Sequence, residues 1–309
     1  MAVPASGRAL VVELVETPWQ ARGMDTTGLV LGGGGVTGVA WELGVLKGLR
    51  DHGVDLTTAD TVIGTSAGSV VGAQITSVVH LDDLYAEQTR PAHAEIGADF
   101  GAGTMLKLVA LMMLPASGRG RRARIGRAAR KAHPGPATER LRVIGSRLRT
   151  PGGDPLAWPD RDLRITAVDA ESGSFRVFDK DGEVDLLHAV AASCAVPLVW
   201  PAVEIGGRHF VDGGMRSSAN ADLATGCDVV VAIAPLPRSL SRYHALPQQL
   251  ARTGAKRTAT ITPDPESLEA IGRNVLDPSK RVGAARAGAA QGARLAAELG
   301  AGWPDQLAG

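Results

Sequence analysis

A run of four glycines is the feature that most restricts how this chain folds. The stretch GLVLGGGGVTGVAWELGVL, residues 28–46, places these glycines between a short apolar run and a segment with apolar residues at helical spacing. Glycine loses more backbone freedom on folding than any other residue, so four in succession indicate a turn at which the backbone must lie bare. A bare strand-to-helix turn suits three tasks: binding a phosphate, binding a dinucleotide, or stabilising a developing oxyanion.

Two of these tasks have their own sequence patterns. A P-loop requires a lysine directly after its last glycine, and none follows Gly38, so this interpretation is excluded. The dinucleotide pattern G-x-G-x-x-G is met by Gly33, Gly35 and Gly38, with Asp51 or Asp55 near the expected acidic position. The pattern is weak by itself, and an NAD-binding oxidoreductase therefore stays open as an alternative.

The third task, an oxyanion hole, requires a nucleophile about one strand away. The stretch VIGTSAGSVVG, residues 62–72, contains Gly64, Ser66, Ala67 and Gly68 in the pattern G-x-S-x-G. In this nucleophile elbow a tight turn between a strand and a helix exposes the serine and leaves no room for bulk on either side. The apolar run before it and the small residues after it favour that interpretation.

A nucleophilic serine also needs a base, and the histidines are poor candidates. His244 is the only one of seven in a late loop, and His209 lies within a predicted hairpin. The stretch FVDGG, residues 210–214, is a better candidate, because Asp212 ends a strand and is followed by Gly213 and Gly214. These glycines let the backbone turn sharply and leave the carboxylate uncrowded.

The order of elements predicts an α/β fold. Short apolar runs, rich in β-branched residues at positions 29–31, 61–63, 163–168 and 228–233, alternate with helical patterns. This alternation is typical of a mainly parallel sheet covered by helices on both faces. AVEIGGRHFV, residues 202–211, predicts a β-hairpin within the same chain.

Composition excludes several classes of function. The formal net charge of +1 gives no reason to expect a nucleic-acid partner. Cys194 and Cys227 are too few for a disulfide framework, and no His, Cys or carboxylate spacing predicts a metal site. No window is apolar enough to span a bilayer, and no secretory leader is visible, so we expect a cytoplasmic protein.

Two segments differ in character from the rest. Residues 1–23 are expected to be a disordered or wrongly assigned extension, which leaves 24–309 as a single domain. Residues 81–160 are expected to form a helical cap or lid over the site.

Within the expected cap, MLKLVALMML, residues 105–114, precedes GRGRRARIGRAARK, residues 118–131, which carries seven basic residues. One interpretation is a helical cap with a solvated basic face. The other is a mobile lid that makes peripheral contact with an anionic membrane through residues 105–131.

The three glycine-flanked motifs, in this order, resemble those of the patatin-like phospholipases. The stretch ASCAVPLVWPAVEIGGRHFVDGG, residues 192–214, also resembles that family's approach to its catalytic aspartate. The resemblance covers about residues 28–235 and implies a three-layer α/β/α fold, a serine–aspartate dyad without histidine, and hydrolysis of lipid esters without a cofactor or a metal. It implies the following site: Ser66 as nucleophile, Asp212 as base, an oxyanion hole at Gly33, Gly34, Gly35 and Ala67, and supporting glycines at Gly38, Gly64, Gly68, Gly213 and Gly214.

The resemblance is incomplete at one loop position. The family usually carries Arg or Lys where this chain has Thr37, which points either to a neutral ester substrate or to compensation by Arg216 or by a cation of the basic lid segment. A lipid-binding or regulatory protein without turnover, built on the same scaffold, is the main alternative function. The sequence does not determine the head group, acyl-chain length or oligomeric state.

Overall fold

The computed structural model describes residues 10–14, 25–90, 103, 110–111, 114, 116–133, 136–236 and 244–300. Within these ranges nine strands form one sheet and nine α-helices surround it. The strands are β1 (Leu10–Leu14), β2 (Thr27–Leu31), β3 (Thr61–Gly64), β4 (Asp162–Asp169), β5 (Phe175–Phe178), β6 (Val203–Ile205), β7 (Arg208–Asp212), β8 (Val229–Ile233) and β9 (Arg257–Ile261). The helices are α1 (Gly35–Asp51), α2 (Ala67–Ile75), α3 (Leu81–Thr89), α4 (Gly118–Ala132), α5 (Thr138–Arg147), α6 (Leu186–Ser193), α7 (Leu246–Ala251), α8 (Pro265–Ile271) and α9 (Arg281–Gly300).

The strands are ordered β1-β9-β8-β2-β3-β4-β7-β6, and β5 pairs with β4 outside this path. The five central strands from β9 to β4 are parallel to their neighbours. The hairpin β6–β7 is antiparallel, as predicted, and joins the sheet through β4. The sheet is therefore mixed and mainly parallel, which confirms the predicted fold class.

Alternate residues of β2 show why the sheet lies between two layers. Leu29 and Leu31 belong to the larger apolar core, whereas Val30 belongs to a second core on the other face. All three side chains have no exposed surface. A strand buried on both faces reads as a continuous apolar run, which is the pattern that the sequence shows here.

Close helix packing explains the glycine- and alanine-rich C-terminal helix. A Cβ atom at Gly44 of α1 would overlap the backbone of Ala285 in α9, and one at Gly288 of α9 would overlap that of Trp41 in α1. Each helix thus presents glycines to the other's backbone. This fixes α9 against α1, the helix that follows the glycine loop.

The expectation of a disordered N-terminal extension was wrong for five of its residues. Leu10–Leu14 form β1, which pairs antiparallel with β9 at the edge of the sheet. Glu13 lies within this short apolar run. An edge strand tolerates a charged residue, because only one of its sides is paired.

The predicted cap region contains helices that belong to the main body. Leu81 and Leu84 of α3 and Ile144 of α5 are buried in the larger core. Most of the apolar stretch at 105–114 lies outside the described residues. Of the helices that the structure describes, none combines the length and apolar character that a bilayer crossing needs.

The basic helix α4 is tied to the sheet by its arginines. Arg119, Arg122 and Arg127 donate hydrogen bonds to backbone carbonyls in the turn 171–173 between β4 and β5. Arg130 forms an ion pair with Glu171 in the same turn. Part of the basic character of 118–131 therefore serves to attach this helix.

Glu42 is an acidic side chain buried without exposed surface in α1. Burial raises the pKa of Glu42 well above its ordinary value, with a smaller opposing effect from the backbone of Gly32. Glu42 ionises at a lower pH in the unfolded chain than in the folded protein. The free energy of unfolding therefore falls as the pH rises above the pKa that Glu42 has in the unfolded chain. We expect the melting temperature of Glu42→Gln to exceed that of the wild type by more at pH 8 than at pH 5. A difference that does not change with pH would contradict this.

Candidate active site

Strand register brings Ser66 and Asp212 to the same edge of the sheet. In the parallel pair β3–β4, Gly64 is aligned with Ile165, so Ser66 is level with Ala167 two residues later. Ala167 is in turn paired with Asp212 of β7. Two residues 146 positions apart in the sequence thus meet where the central strands end.

Ser66 lies on a strained turn between β3 and α2. Its φ of 53° places a non-glycine residue in the left-handed region, a conformation that costs about 1–3 kcal/mol and occurs mainly at functional sites. A Cβ atom at Gly64 would lie 2.6 Å from the Cα atom of Ser69, and one at Gly68 would overlap the carbonyl of Leu31. Both glycines of the elbow are therefore required by close packing.

Neighbouring side chains hold the backbone of Ser66 in place. Its N–H donates to the hydroxyl of Ser193 at 2.9 Å. Its carbonyl accepts from the hydroxyl of Ser69 at 2.6 Å and from the thiol of Cys194 at 3.2 Å. Ser193 is the last residue of α6 and Cys194 follows it, and no sequence motif marks either of them as part of the site.

Asp212 is a buried carboxylate beside the nucleophile candidate. The N–H of Gly214 donates to its Oδ1 at 2.7 Å. Burial raises the pKa of Asp212 to about 6, against the opposing effects of the Ser66 hydroxyl, the Gly214 N–H and Arg140. A Cβ atom at Gly213 would overlap Thr166, so the turn after Asp212 packs directly on β4.

The glycine loop places backbone N–H groups beside the elbow. Among the described residues, the N–H groups of Gly34, Gly35 and Ala67 have no hydrogen-bond acceptor. The φ of +63° at Gly35 is accessible to glycine, and a side chain there would also meet the carbonyl of Val275 at 2.6 Å. Gly38 lets α1 approach α2, since a Cβ atom would lie 3.4 Å from that of Ala67.

The expectation that Gly33 supplies an oxyanion donor was wrong. Its N–H donates to the carbonyl of Ser218 at 2.7 Å, so this donor is already used. Ser218 follows β7 in the chain, and nothing near Gly33 in the sequence indicates this pairing. The free donors begin one residue later.

A buried hydrogen-bond network beneath the elbow was not predicted. The side-chain amide of Asn220 donates to the hydroxyl of Thr65 at 3.1 Å and to the carbonyl of Ser217 at 2.9 Å. Thr65 is also hydrogen-bonded to Thr166 of β4 at 2.9 Å. Asn220 thus connects the elbow, β4 and the segment after Asp212, and fixes their relative positions.

Ser66 opens into a narrow cavity of about 30 Å³. Its walls include Val70, Leu276 and Trp200, together with Arg140 and Arg147 of α5. Both arginines were missed by the sequence analysis, because the cavity is formed only when α5 packs over the elbow.

A second cavity of about 900 Å³ adjoins the first, and both are lined by Val36, Val39 and Arg147. The small compartment at Ser66 therefore shares part of its wall with a larger one lined by residues of α3 and α5.

Thr37, which stands where the family usually has Arg or Lys, is buried and is hydrogen-bonded to the neighbouring backbone. Its N–H donates to the carbonyl of Val275 at 3.1 Å, and its hydroxyl donates to the same oxygen. Arg216, considered as a replacement cation, forms an ion pair with Asp222 and lies 4.4 Å from the ring of Phe175. Arg140 and Arg147, rather than Arg216, are the cations that line the Ser66 cavity.

In the described residues, no group of three or more His, Cys, Asp or Glu side chains is placed to hold a metal ion. The site thus consists of a glycine loop, an elbow serine and a buried carboxylate at the end of a mainly parallel sheet with helices on both faces.

Comparison with known proteins assigns this architecture to a family. The family model described as patatin-like phospholipase matches residues 29–225, and the chain belongs to this family. A search of curated proteins returned no significant match.

Similar solved structures include VipD from Legionella pneumophila, with 13% identity and a TM-score of 0.43, covering 93% of this chain and 70% of that one. The type III effector protein ExoU has 15% identity and a TM-score of 0.38, and the match covers 89% of this chain and 53% of that one. ExoU in complex with SpcU, from the type III secretion system of Pseudomonas aeruginosa, has 15% identity and a TM-score of 0.35, with 85% and 52% covered.

Proposed function

We propose that this protein is a serine acyl hydrolase that cleaves carboxylic ester bonds of lipids through an acyl-enzyme. The observation that carries the proposal is the placement of Ser66, on a strained elbow, beside the buried carboxylate of Asp212, whose ionised form the Ser66 hydroxyl favours. Membership of the patatin-like phospholipase family supports a lipid substrate.

In the first half of the proposed reaction, Asp212 accepts the hydroxyl proton of Ser66 while Oγ attacks the ester carbonyl. A carboxylate in water is a weak base, with a pKa near 4. Burial makes Asp212 a stronger one, with a pKa of about 6. The ester C–O bond then breaks, and the leaving alcohol takes the proton from Asp212.

The negative charge on the tetrahedral intermediate needs donors that no other group occupies. The N–H groups of Gly34, Gly35 and Ala67 are such donors, and each well-placed donor contributes about 3–4 kcal/mol in comparable sites. Ala67 is also the first residue of α2, so the positive end of the helix dipole lies at the nucleophile.

In the second half, Asp212 removes a proton from water, which attacks the acyl-enzyme. The carbon–Oγ bond then breaks, Ser66 regains its proton and the fatty acid leaves. The reaction needs no cofactor.

We further propose that residues 24–309 act as one domain in which the segment 81–160 covers the substrate. The larger cavity beneath α3 and α5 has room for part of a lipid next to Ser66. A contact of residues 105–131 with an anionic membrane would bring the larger cavity close to lipid substrates.

The pH dependence follows from the role of Asp212. Only the ionised carboxylate can accept the serine proton, so kcat/KM on a neutral ester should fall about tenfold per pH unit below the pKa of Asp212, which is about 6. The measurement is kcat/KM between pH 4.5 and 8.5. A profile that stays flat down to pH 4.5 would contradict a buried carboxylate base.

Partitioning with methanol tests the acyl-enzyme. Esters that share one acyl group but differ in their alcohols should give the same ratio of methyl ester to free acid, because one acyl-enzyme reacts with both nucleophiles. A ratio that varies with the alcohol would exclude a common intermediate. Binding of lipid without release of fatty acid would favour the non-catalytic alternative.

A further inference from the structure

We propose that Arg140 and Trp200 form a subsite for a phosphate group of the lipid substrate, next to the ester that Ser66 attacks. The inference rests on the proposed function, because it names a substrate feature read at that site. Both residues line the same narrow cavity as Ser66.

Two buried donors on residues that line this cavity lack acceptors. Among the described residues, neither Nε of Arg140 nor Nε1 of Trp200 has a hydrogen-bond partner. A buried donor without an acceptor destabilises the folded protein, and more so when the group is charged. Two such donors on neighbouring residues of one cavity wall are available to a ligand that supplies oxygen acceptors.

The environment of Arg140 favours an anionic ligand over a neutral one. Its Nη2 donates to the carbonyl of Cys194 at 3.1 Å, and its Cζ lies 4.6 Å from the centre of the Trp200 ring. Among the described residues, Arg140 forms no ion pair, and the carboxylate that influences it is Asp212, whose charge opposes the lowering of its pKa by burial. A planar guanidinium held on an aromatic face binds phosphate oxygens with good geometry.

The helix that carries Arg140 also places a second cation at the larger cavity. Arg147 stands seven residues later on α5, about two turns along the same face, and lines both cavities. A lipid with its ester at Ser66 and its phosphate at Arg140 would have to widen this cavity of about 30 Å³ on binding, and would then meet Arg147 as a second cation on the same wall. The charge of the subsite comes from α5, in the predicted cap, rather than from the glycine loop.

Binding to a protein that cannot turn over tests the subsite. The Ser66→Ala variant would be titrated calorimetrically with dihexanoyl phosphatidylglycerol and with dihexanoylglycerol, both as monomers in solution. Adding Arg140→Gln should weaken binding of the phospholipid by about 10- to 100-fold and leave the neutral lipid within about twofold. Trp200→Phe keeps an aromatic ring but removes the N–H donor. It should weaken binding of the phospholipid by about fivefold.

Arg176→Gln is the matched control, because Arg176 is exposed on β5 and lines neither cavity. It should leave both affinities unchanged. If the melting curve shows that Arg140→Gln does not fold, Arg140→Lys takes its place. Lysine keeps the charge but lacks the Nε donor, so this variant should bind the phospholipid with intermediate affinity.

Equal affinity of Ser66→Ala for both lipids, or an unchanged preference after replacing Arg140, would overturn the proposal. Inorganic phosphate that binds Ser66→Ala as tightly as the phospholipid does would assign the site to free phosphate instead of a lipid and would also contradict it. Because this experiment needs no turnover, it is independent of the proposed function, which would fail if the wild type hydrolysed no ester.

Discussion

Replacing Ser66 with alanine is expected to lower ester hydrolysis by about 10⁴-fold or more, the size of effect seen when an acyl hydrolase loses its nucleophile. The fold should persist, because alanine removes only the hydroxyl and leaves the backbone hydrogen bonds of residue 66 to Ser193, Ser69 and Cys194 in place. Turnover of a neutral ester and the melting temperature are the two measurements.

Ser69→Ala provides the control for this variant. Ser69 lies in the same stretch, three residues later, and its hydroxyl supports the carbonyl of Ser66. Its loss should reduce turnover by no more than about tenfold, in keeping with a single neutral hydrogen bond. Activity retained by Ser66→Ala but lost in Ser69→Ala would mean that the nucleophile is wrongly assigned.

Replacing Asp212 with asparagine is expected to lower kcat by about 10³- to 10⁴-fold, as loss of the general base does in related chemistry. The same change should raise the melting temperature at pH 8. The folded protein holds the pKa of Asp212 at about 6, above its unfolded value. An acid with a raised pKa loses its stabilising contribution as the pH rises through that window, and asparagine removes this penalty.

Asp169 is the matched control for the second prediction. It is a buried aspartate at the end of β4, and the hydroxyl and N–H of Ser172 and the ion pair with Arg208 lower its pKa. Asp169→Asn should therefore lower the melting temperature at pH 8 while leaving kcat within about threefold, since this carboxylate is paired with Arg208 and Ser172 rather than placed beside Ser66. A near-normal rate for Asp212→Asn would instead direct attention to His209 or His244.

The sequence predicts those parts of the site that depend on local backbone geometry. Gly64 and Gly68 are required by contacts within a few residues and with the adjoining strand, so the elbow has a recognisable pattern. The same holds for Asp212, where a strand ends and glycines follow. The parallel central strands were likewise predictable, because strands buried on both faces are continuously apolar.

Other parts of the site depend on packing between distant segments. Arg140 and Trp200 come together at the cavity only when α5 packs over the elbow. Neither residue belongs to a recognisable sequence motif. The N–H of Gly33 donates to the carbonyl of Ser218, and these two residues are 185 positions apart in the sequence. The edge strand β1 escaped prediction because its partner, β9, lies near the other end of the chain.

Treatment with a fluorophosphonate, followed by measurement of the intact mass, tests the central proposal most directly. The wild type should gain one adduct that maps to Ser66, Ser66→Ala should gain none, and Asp212→Asn should react far more slowly. An adduct at another serine, or a folded wild-type protein that hydrolyses esters yet takes up no fluorophosphonate, would contradict a Ser66–Asp212 mechanism.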